Sequence, residues 1–496
     1  MTDKEDETRA TAQHGVILRA ANGDVIRYEP SGLSLRLSDR VIADIAARLE
    51  DQGFRPVGAA PESPRETDAE ITALPDTIDA WDIRRDGDWL TFTADMPGKQ
   101  GMRGFRREVT GGAILADTPG PLLGLLAVGG ARAALASQRG CDFPHHVLAP
   151  ADDIGAVGHA GEGQAVRQHR MQPLAEMTHE ALMAERLLAH GRATKGAMPL
   201  FHVRAETDTS ADAATLSGGD AFANFTQAAR NFVAAADHLA KRPKLLAVCL
   251  DFALEDVSGD GTAYRDGVIA LMDRITGELG KLGLPPPIYL AVFECGTWNI
   301  VSGAAIEGQW ELAWNHAAHD LNIVMPGYML ELDENGRLTE DARALRAAMS
   351  AEALSVLSQG GSWSCPVLHL AERDGKVIRV TTQGDGALVI DKDDPFGAGK
   401  MAGFRLEGVE NGATITKVAI DAKDKRAVLL TCSKEPEGAD IHVTYAFGAE
   451  PVKGPYPANC GALRDTFEPA LAAPDDDPAL RARMKRWALP ARLKLR

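Results

Sequence analysis

The chain has 496 residues, 45% of them hydrophobic and 25% charged, with a formal net charge of −17. This composition excludes a collagenous or mainly disordered protein, and the acidic balance excludes a general affinity for nucleic acid, which needs basic surface to neutralise phosphates. At roughly 100–200 residues per domain the length implies about three domains.

Met1 to Arg9 is polar and charged, without the apolar core of a signal peptide, so synthesis in the cytoplasm and release by a route such as cell lysis are expected. Residues 1–117 read as a small mixed α/β domain. Val16–Leu18, Val25–Tyr28 and Trp89–Thr93 have strand character, and Ser38 can cap a helix over Val41 to Leu49. A turn-rich acidic stretch, Ala59 to Glu70, follows that helix. Residues 118–195 read as a helical connector or arm, with a helix from about Pro173 to Leu188. Its most apolar run, Leu122 to Ala136, is broken by Gly124, Gly129, Gly130 and Arg132 and falls short of the ~20 apolar residues of a membrane span. The six cysteines, Cys141, Cys249, Cys295, Cys365, Cys432 and Cys460, are scattered without a C-x-x-C pair, which predicts reduced thiols.

Residues 196–360 are the most regular. Apolar runs at Pro199–Val203, Leu245–Phe252, Ile288–Phe293 and Leu321–Met325 alternate with helical patterns at Phe222–Leu239, Tyr264–Leu282, Ile306–Ala318 and Glu340–Leu357. In the second helix Val268, Leu271, Met272, Ile275, Leu279 and Leu282 form one apolar face. Short apolar strands alternating with amphipathic helices predict a parallel sheet of at least four strands covered on both faces, a three-layer α/β domain of flavodoxin-like type. Residues 361–470 carry β-type runs at Val377–Thr381, Ala387–Ile390, Thr414–Ile420, Ala427–Thr431 and His442–Tyr445, as in a modest antiparallel sandwich. In 471–496 an acidic patch, Asp475 to Asp477, precedes seven basic residues interleaved with Trp487, Leu489, Leu493 and Leu495. This basic amphipathic tail is expected to dock on protein, either a second copy or a partner component, or as a short helix on the chain's own acidic surface.

Functional groups of an open parallel sheet collect outside the carboxyl ends of its strands. Those ends offer Glu206, Thr207 and Asp208, then Glu255 and Asp256, then Glu294, then Met325 to Tyr328. Three segments, Phe201–Asp208, Asp251–Asp256 with Gly261–Gly267, and Asp333–Thr339, resemble blocks of the SGNH-type hydrolases, in the branch related to sialate O-acetylesterases. The likeness covers about residues 196–360, and Gly403-Phe404 with Leu463-Arg464-Asp465 extend it into the β-rich segment. The resemblance implies an esterase scaffold with altered chemistry. Ala205, Glu206, Thr207 and Asp208 stand where a Gly-Gln-Ser-Asn motif is usual, so Thr207 occupies the nucleophile's place. Leu254 replaces the glycine of the oxyanion turn, Glu255 is kept, Asp256 stands for a serine, and Tyr264 still opens its helix. Arg337 takes the place of the histidine base, with Asp333 one residue upstream of its usual spacing and Thr339 as helix cap. An arginine stays protonated and cannot accept a proton from a hydroxyl, and extra carboxylates repel a developing oxyanion.

His316, His319 and Asp320, and separately Cys141, His145 and His146, could be metal ligands, but neither group has a ligand set of known spacing. Trp298, Trp310 and Trp314 could be sugar platforms or core side chains. Glu206, Asp208, Glu255 and Glu294 could form an acid pair for glycosidic cleavage. Without a phosphate-cradling loop or dinucleotide fingerprint, no cofactor and no metal is expected. The expected function is non-catalytic binding of a surface glycan through Glu206, Asp208, Glu255, Asp256, Glu294, Trp298 and Arg337. The alternative is a carbohydrate O-acetylesterase in which Thr207 acts with a base such as His202 or His369. The layout is similar to host-recognition proteins of phage-like particles, including gene transfer agents.

Overall fold

The computed structural model describes residues 15–19, 25–29, 32–36, 74, 78–130, 136–137, 139–152, 154–161, 164–213, 215–252, 260–297, 303–450, 452–472 and 477–496. The chain divides into two compact units, Met1–Thr67 and Asp68–Arg496. In the first, β1 (Gly15–Arg19), β2 (Val25–Glu29) and β3 (Gly32–Arg36) form an antiparallel meander. The helix expected over Val41 to Leu49 lies outside the described residues.

In the second unit, β4 (Ala80–Asp86), β5 (Trp89–Ala94), β6 (Arg103–Glu108) and β7 (Leu115–Ala116) make an antiparallel sheet in sequence order. Alternation along β5 buries Leu90, Phe92 and Ala94, and the latter two join Phe105 and Leu115 in a core shared with the α/β layers. The strands expected in one N-terminal domain therefore belong to two units.

The main sheet contains β8 (Leu122–Gly129), β9 (Val147–Pro150), β10 (Val157–His159), β11 (Met171–Pro173), β12 (Leu200–Thr207), β13 (Pro243–Asp251), β14 (Ile288–Phe293) and β15 (Leu321–Pro326). Its spatial order is β11-β9-β12-β8-β13-β14-β15, with β10 beside β12. All pairs are parallel except β11 with β9. The five strands β8, β12, β13, β14 and β15, counted along the chain, lie in the flavodoxin-like order 2-1-3-4-5. The four expected strands are present and parallel. Leu122–Gly129, expected in a helical arm, is instead the central strand. A short apolar run reads equally well as helix or strand, and it lies near irregular, glycine-rich chain.

Helices α1 (His179–Ala193), α2 (Asp220–His238), α3 (Gly261–Lys281), α4 (Gly303–Asn315) and α5 (Glu340–Ser358) connect or follow these strands. Alternate residues of each strand face opposite layers. Leu125 and Ala127 of β8, Val203 of β12 and Cys249 of β13 pack with Ala181, Leu188, Leu345 and Met349 from α1 and α5. Leu126, Val128, Val248 and Leu250 pack with Phe225, Phe232, Leu271 and Ile275 from α2 and α3. Of the face expected on α3, Val268, Leu271, Met272, Ile275 and Leu279 are buried. Thr339 caps α5 as expected, accepting from the Ala342 N–H at 3.2 Å. Thr178 caps α1 through Ala181 N–H, which starts that helix six residues later than its apolar pattern implied.

The β-rich segment contains β16 (Val367–Asp374), β17 (Val377–Gln383), β18 (Leu388–Ile390), β19 (Phe404–Glu407), β20 (Ile415–Ile420), β21 (Ala427–Cys432), β22 (His442–Tyr445), β23 (Leu463–Asp465) and β24 (Ala491–Lys494), with α6 (Pro478–Arg483) before the last. They form three small sheets, β16-β17-β21-β20, β18-β23 and β19-β22-β24. Their apolar faces continue the α1/α5 core through Trp363, Val367, Leu430, Val443 and Tyr445.

The tail expected to dock on another protein completes this core. β24 pairs antiparallel with β22, and Trp487, Leu489 and Leu493 are buried. Its basic groups meet carboxylates of the same chain: Arg486 with Asp385 and Asp465, Lys485 with Glu468, and Arg492 with Glu307 and Glu407. An amphipathic pattern specifies burial without specifying against which chain.

Candidate functional site

In a 2-1-3-4-5 sheet the crevice opens where the chain turns from one side of the first strand to the other. Here that is between β8 and β13. Their ends are locked together where Gly130 N–H donates to Asp251 O at 3.1 Å, and on the other side of β8 Asp208 N–H, just past β12, donates to Gly129 O at 3.0 Å. A Cβ on Gly129 would collide with the Asp251 backbone, so only glycine allows this approach.

Beneath the switch point lies a buried polar cluster from four elements. α1 contributes His179 and Glu180, β13 contributes Cys249 and Asp251, α5 contributes Arg346, and the end of β14 contributes Glu294. All but Cys249 are charged or polar groups within the protein interior. The Asp251 carboxylate accepts from Arg346 Nη2 at 2.6 Å. Burial and the neighbouring Asp251 charge push the Glu180 carboxyl up to about 7. Burial, then the Arg346 charge, hold His179 well below the usual imidazole range, and burial and Glu180 raise the Cys249 thiol. The nearby acids Asp251, Glu180 and Glu294 more than offset the desolvation of Arg346 and raise it. Glu294 is held at its backbone, where Gln309 accepts from its N–H at 2.7 Å and donates to its carbonyl at 3.0 Å.

Among the described residues expected to bind or catalyse, Glu294 is the one that joins this cluster. Glu206 sits on β12 in a different network, accepting from Arg204 Nε at 2.7 Å, while Arg204 Nη1 reaches Asp152 at 3.1 Å and Gly155 O at 2.6 Å. The three side chains are 0% (Arg204), 0% (Glu206) and 1% (Asp152) exposed. Burial outweighs the Arg204 attraction and lifts Glu206 to about 6. Thr207 is 1% exposed. Its Oγ1 donates to Gly158 O at 3.1 Å and lies 3.1 Å from His159 Nδ1. The partner imidazole is thus His159 on adjacent β10, the cross-strand neighbour of Thr207, and Thr207 makes no described hydrogen bond to His202 or His369. Asp208 closes a turn by accepting from Ser210 N–H and Oγ. Asp333 also organises a turn, accepting from Asn335 N–H at 2.8 Å and Arg337 N–H at 2.9 Å. Glu255, Asp256 and Trp298 lie outside the described residues.

The other sequence candidates are distributed. His316 Nε2 and His319 Nδ1 are 3.0 Å apart, and Asp320 accepts from Asn322. His145 and His146 bond separate backbone carbonyls, of Ile114 and Pro199. Trp310 donates its indole N–H to Leu368 O at 2.7 Å, while Trp314 is 37% exposed and stacks on His369 at 5.9 Å. His179, Glu180, Cys249 and Arg346 were missed as a set. Their separation in sequence hides them, and the available signal was the apolar run ending in Gly129-Gly130, which marks the switch strand.

His202, considered as a base, is fully buried against Phe232 with neither ring nitrogen hydrogen-bonded. Gly124, its neighbour on β8, leaves room for the same phenyl ring. Burial pushes its imidazole down to about 3, from 6.5. A lowered folded-state value means that the unfolded chain binds the extra proton. Stability from this group is complete above about pH 6.5 and is lost as pH falls toward 3. His202→Leu is expected to remove that part of the acid sensitivity and to stabilise the protein by about 1–3 kcal/mol, since two unpaired buried nitrogens disappear. Urea midpoints of both proteins from pH 7 to pH 4 check this, and parallel curves would refute it.

No protein-family model matches the chain, and no curated protein does. Among solved structures it is similar to a carbohydrate acetylesterase from Xanthomonas citri, 14% identical, with a TM-score of 0.47 over 82% of this chain and 96% of that one. It is also similar to a protein from Arabidopsis thaliana, 13% identical, with a TM-score of 0.33 over 47% of this chain and 98% of that one. A third likeness is to a tail fiber protein of an E. coli phage, 11% identical, with a TM-score of 0.24 over 87% of this chain and 53% of that one. Among the described residues no helix is long and apolar enough to cross a membrane.

Proposed function

We propose that the chain is a non-catalytic glycan-binding protein on an esterase-like α/β scaffold, serving as a spike or adhesion component of a phage-like particle. The observation that carries the non-catalytic part is the burial of Thr207, 1% exposed and already bonded to the Gly158 carbonyl. A sealed hydroxyl has no room for an ester carbonyl at attack distance. Asp333 and Arg337 are joined in one turn, and the arginine cannot serve as a proton acceptor there. For the glycan, Trp314 is the one exposed aromatic side chain among the described residues, and an indole face suits the apolar face of a sugar ring.

One observation favours the esterase reading, the 3.1 Å separation of Thr207 Oγ1 and His159 Nδ1, which is a nucleophile–base distance. Aryl acetate hydrolysis by the wild type, Thr207→Ala and His159→Ala separates the two. Equal background rates are expected for all three. A rate that falls at least tenfold in both variants would establish the esterase. Binding to bacterial surface polysaccharide, weakened in Trp314→Ala, is the positive test, and unchanged binding in that variant would remove Trp314 from the site.

A further inference from the structure

We propose that His179, Glu180 and Cys249 form a binding site for a zinc-class divalent cation. One ligand atom from each, an imidazole nitrogen, a carboxylate oxygen and a thiol sulfur, lie within 4.8 Å of one another, and all three residues are buried. Nitrogen, oxygen and sulfur donors together suit zinc or its cobalt substitute, whereas calcium and magnesium take oxygen donors.

Two further features point to an occupant. Glu180 is 1% exposed, yet its Oε1 has no hydrogen-bond partner, and buried carboxylate oxygens are rarely left so. The second is charge. An ion that displaces the Glu180 and Cys249 protons leaves a neutral imidazole, a carboxylate and a thiolate, whose two negative charges one divalent ion cancels. The adjacent Arg346 does not upset that balance, because Asp251 holds it at 2.6 Å. Cys249 and Asp251, two apart on β13, project from the same face of the strand, and with Asp251 engaged by Arg346 the fourth coordination position is left to water. His179 and Glu180 are held by the first turn of α1, which Thr178 caps, and Cys249 by a strand hydrogen-bonded on both sides. Three donors on two rigid elements make a preorganised site. No spacing rule finds it, because two ligands are adjacent and the third is far along the chain.

The test uses the full chain, produced in medium supplemented with zinc or with cobalt and freed of loose metal by dialysis. Elemental analysis is expected to give close to one ion per chain, and the cobalt form to show a thiolate-to-cobalt charge-transfer band. Cys249→Ser should lose that band and bind metal more weakly by over ~100-fold, beyond what loss of a supporting residue costs, while Cys141→Ser keeps both. Substoichiometric metal in the wild type, a cobalt spectrum without the thiolate band, or full binding by Cys249→Ser would each overturn the site. Circular dichroism checks that the variants fold, and if Cys249→Ser does not, the wild-type cobalt spectrum decides alone.

Discussion

Glu206→Ala is expected to destabilise the protein by about 3–5 kcal/mol, the cost of removing one partner from a buried ion pair. The carboxylate is bonded to Arg204 at 2.7 Å, and neither side chain reaches solvent. Without Glu206, Arg204 keeps Asp152 and the Gly155 carbonyl, but its Nε–H loses its acceptor and its charge is less well matched. Glu206→Gln, which retains an oxygen for that N–H, should cost distinctly less. The pH dependence follows from burial raising this carboxyl from 4.5 to about 6. A raised folded-state value contributes stability below the unfolded value and loses it as pH rises through the folded one. The wild type should therefore lose a little stability from this group between about pH 4.5 and 6, and the glutamine variant should not. Denaturant titrations of the three proteins across that window are the measurement. An alanine variant as stable as wild type but deficient in glycan binding would show instead that Glu206 meets ligand.

Trp487→Ala should cost about 3–5 kcal/mol, as large aromatic truncations in cores do. The indole is 3% exposed and packs edge-on against Phe396 at 4.8 Å, and its backbone bridges to Arg464. Leu495→Ala, at a half-buried position of the same tail, should cost less. Urea midpoints order the variants. If the tail instead served only to hold a second copy, Trp487→Ala would halve the mass seen by light scattering and leave the midpoint of the separated chains unchanged.

The sequence carried the α/β layering because its signals are local. Ile288–Phe293 is a continuous apolar strand, Val268 to Leu279 repeats at helical spacing, and Thr339 precedes its helix as a capping residue. Leu122–Gly129 is not legible as a strand for the opposite reason. Only pairing with β12 and β13, which follow it by scores of residues, distinguishes a central strand from a helix, and no local rule contains that pairing. The candidate site was legible at Glu294, which follows a recognisable strand. Glu206 and Thr207 are at a strand end as expected, but the strand end does not reveal which side chains are consumed by neighbours. Arg204 and Asp152 claim Glu206, and Gly158 and His159 claim Thr207. His179, Glu180 and Cys249 meet only because the first turn of α1 reaches the Cys249 side chain of β13.

One hydrophobic core runs from Leu125 on the central strand to Leu493 on β24. The consequence is a matter of order in time. During synthesis the central strand leaves the ribosome well before its covering helix α5, which ends at Ser358, and the cluster that continues from that layer is unfinished until residue 493 has been made. The nascent chain must therefore carry exposed apolar surface through most of its elongation, a state prone to aggregation. Such long-range closure also slows folding.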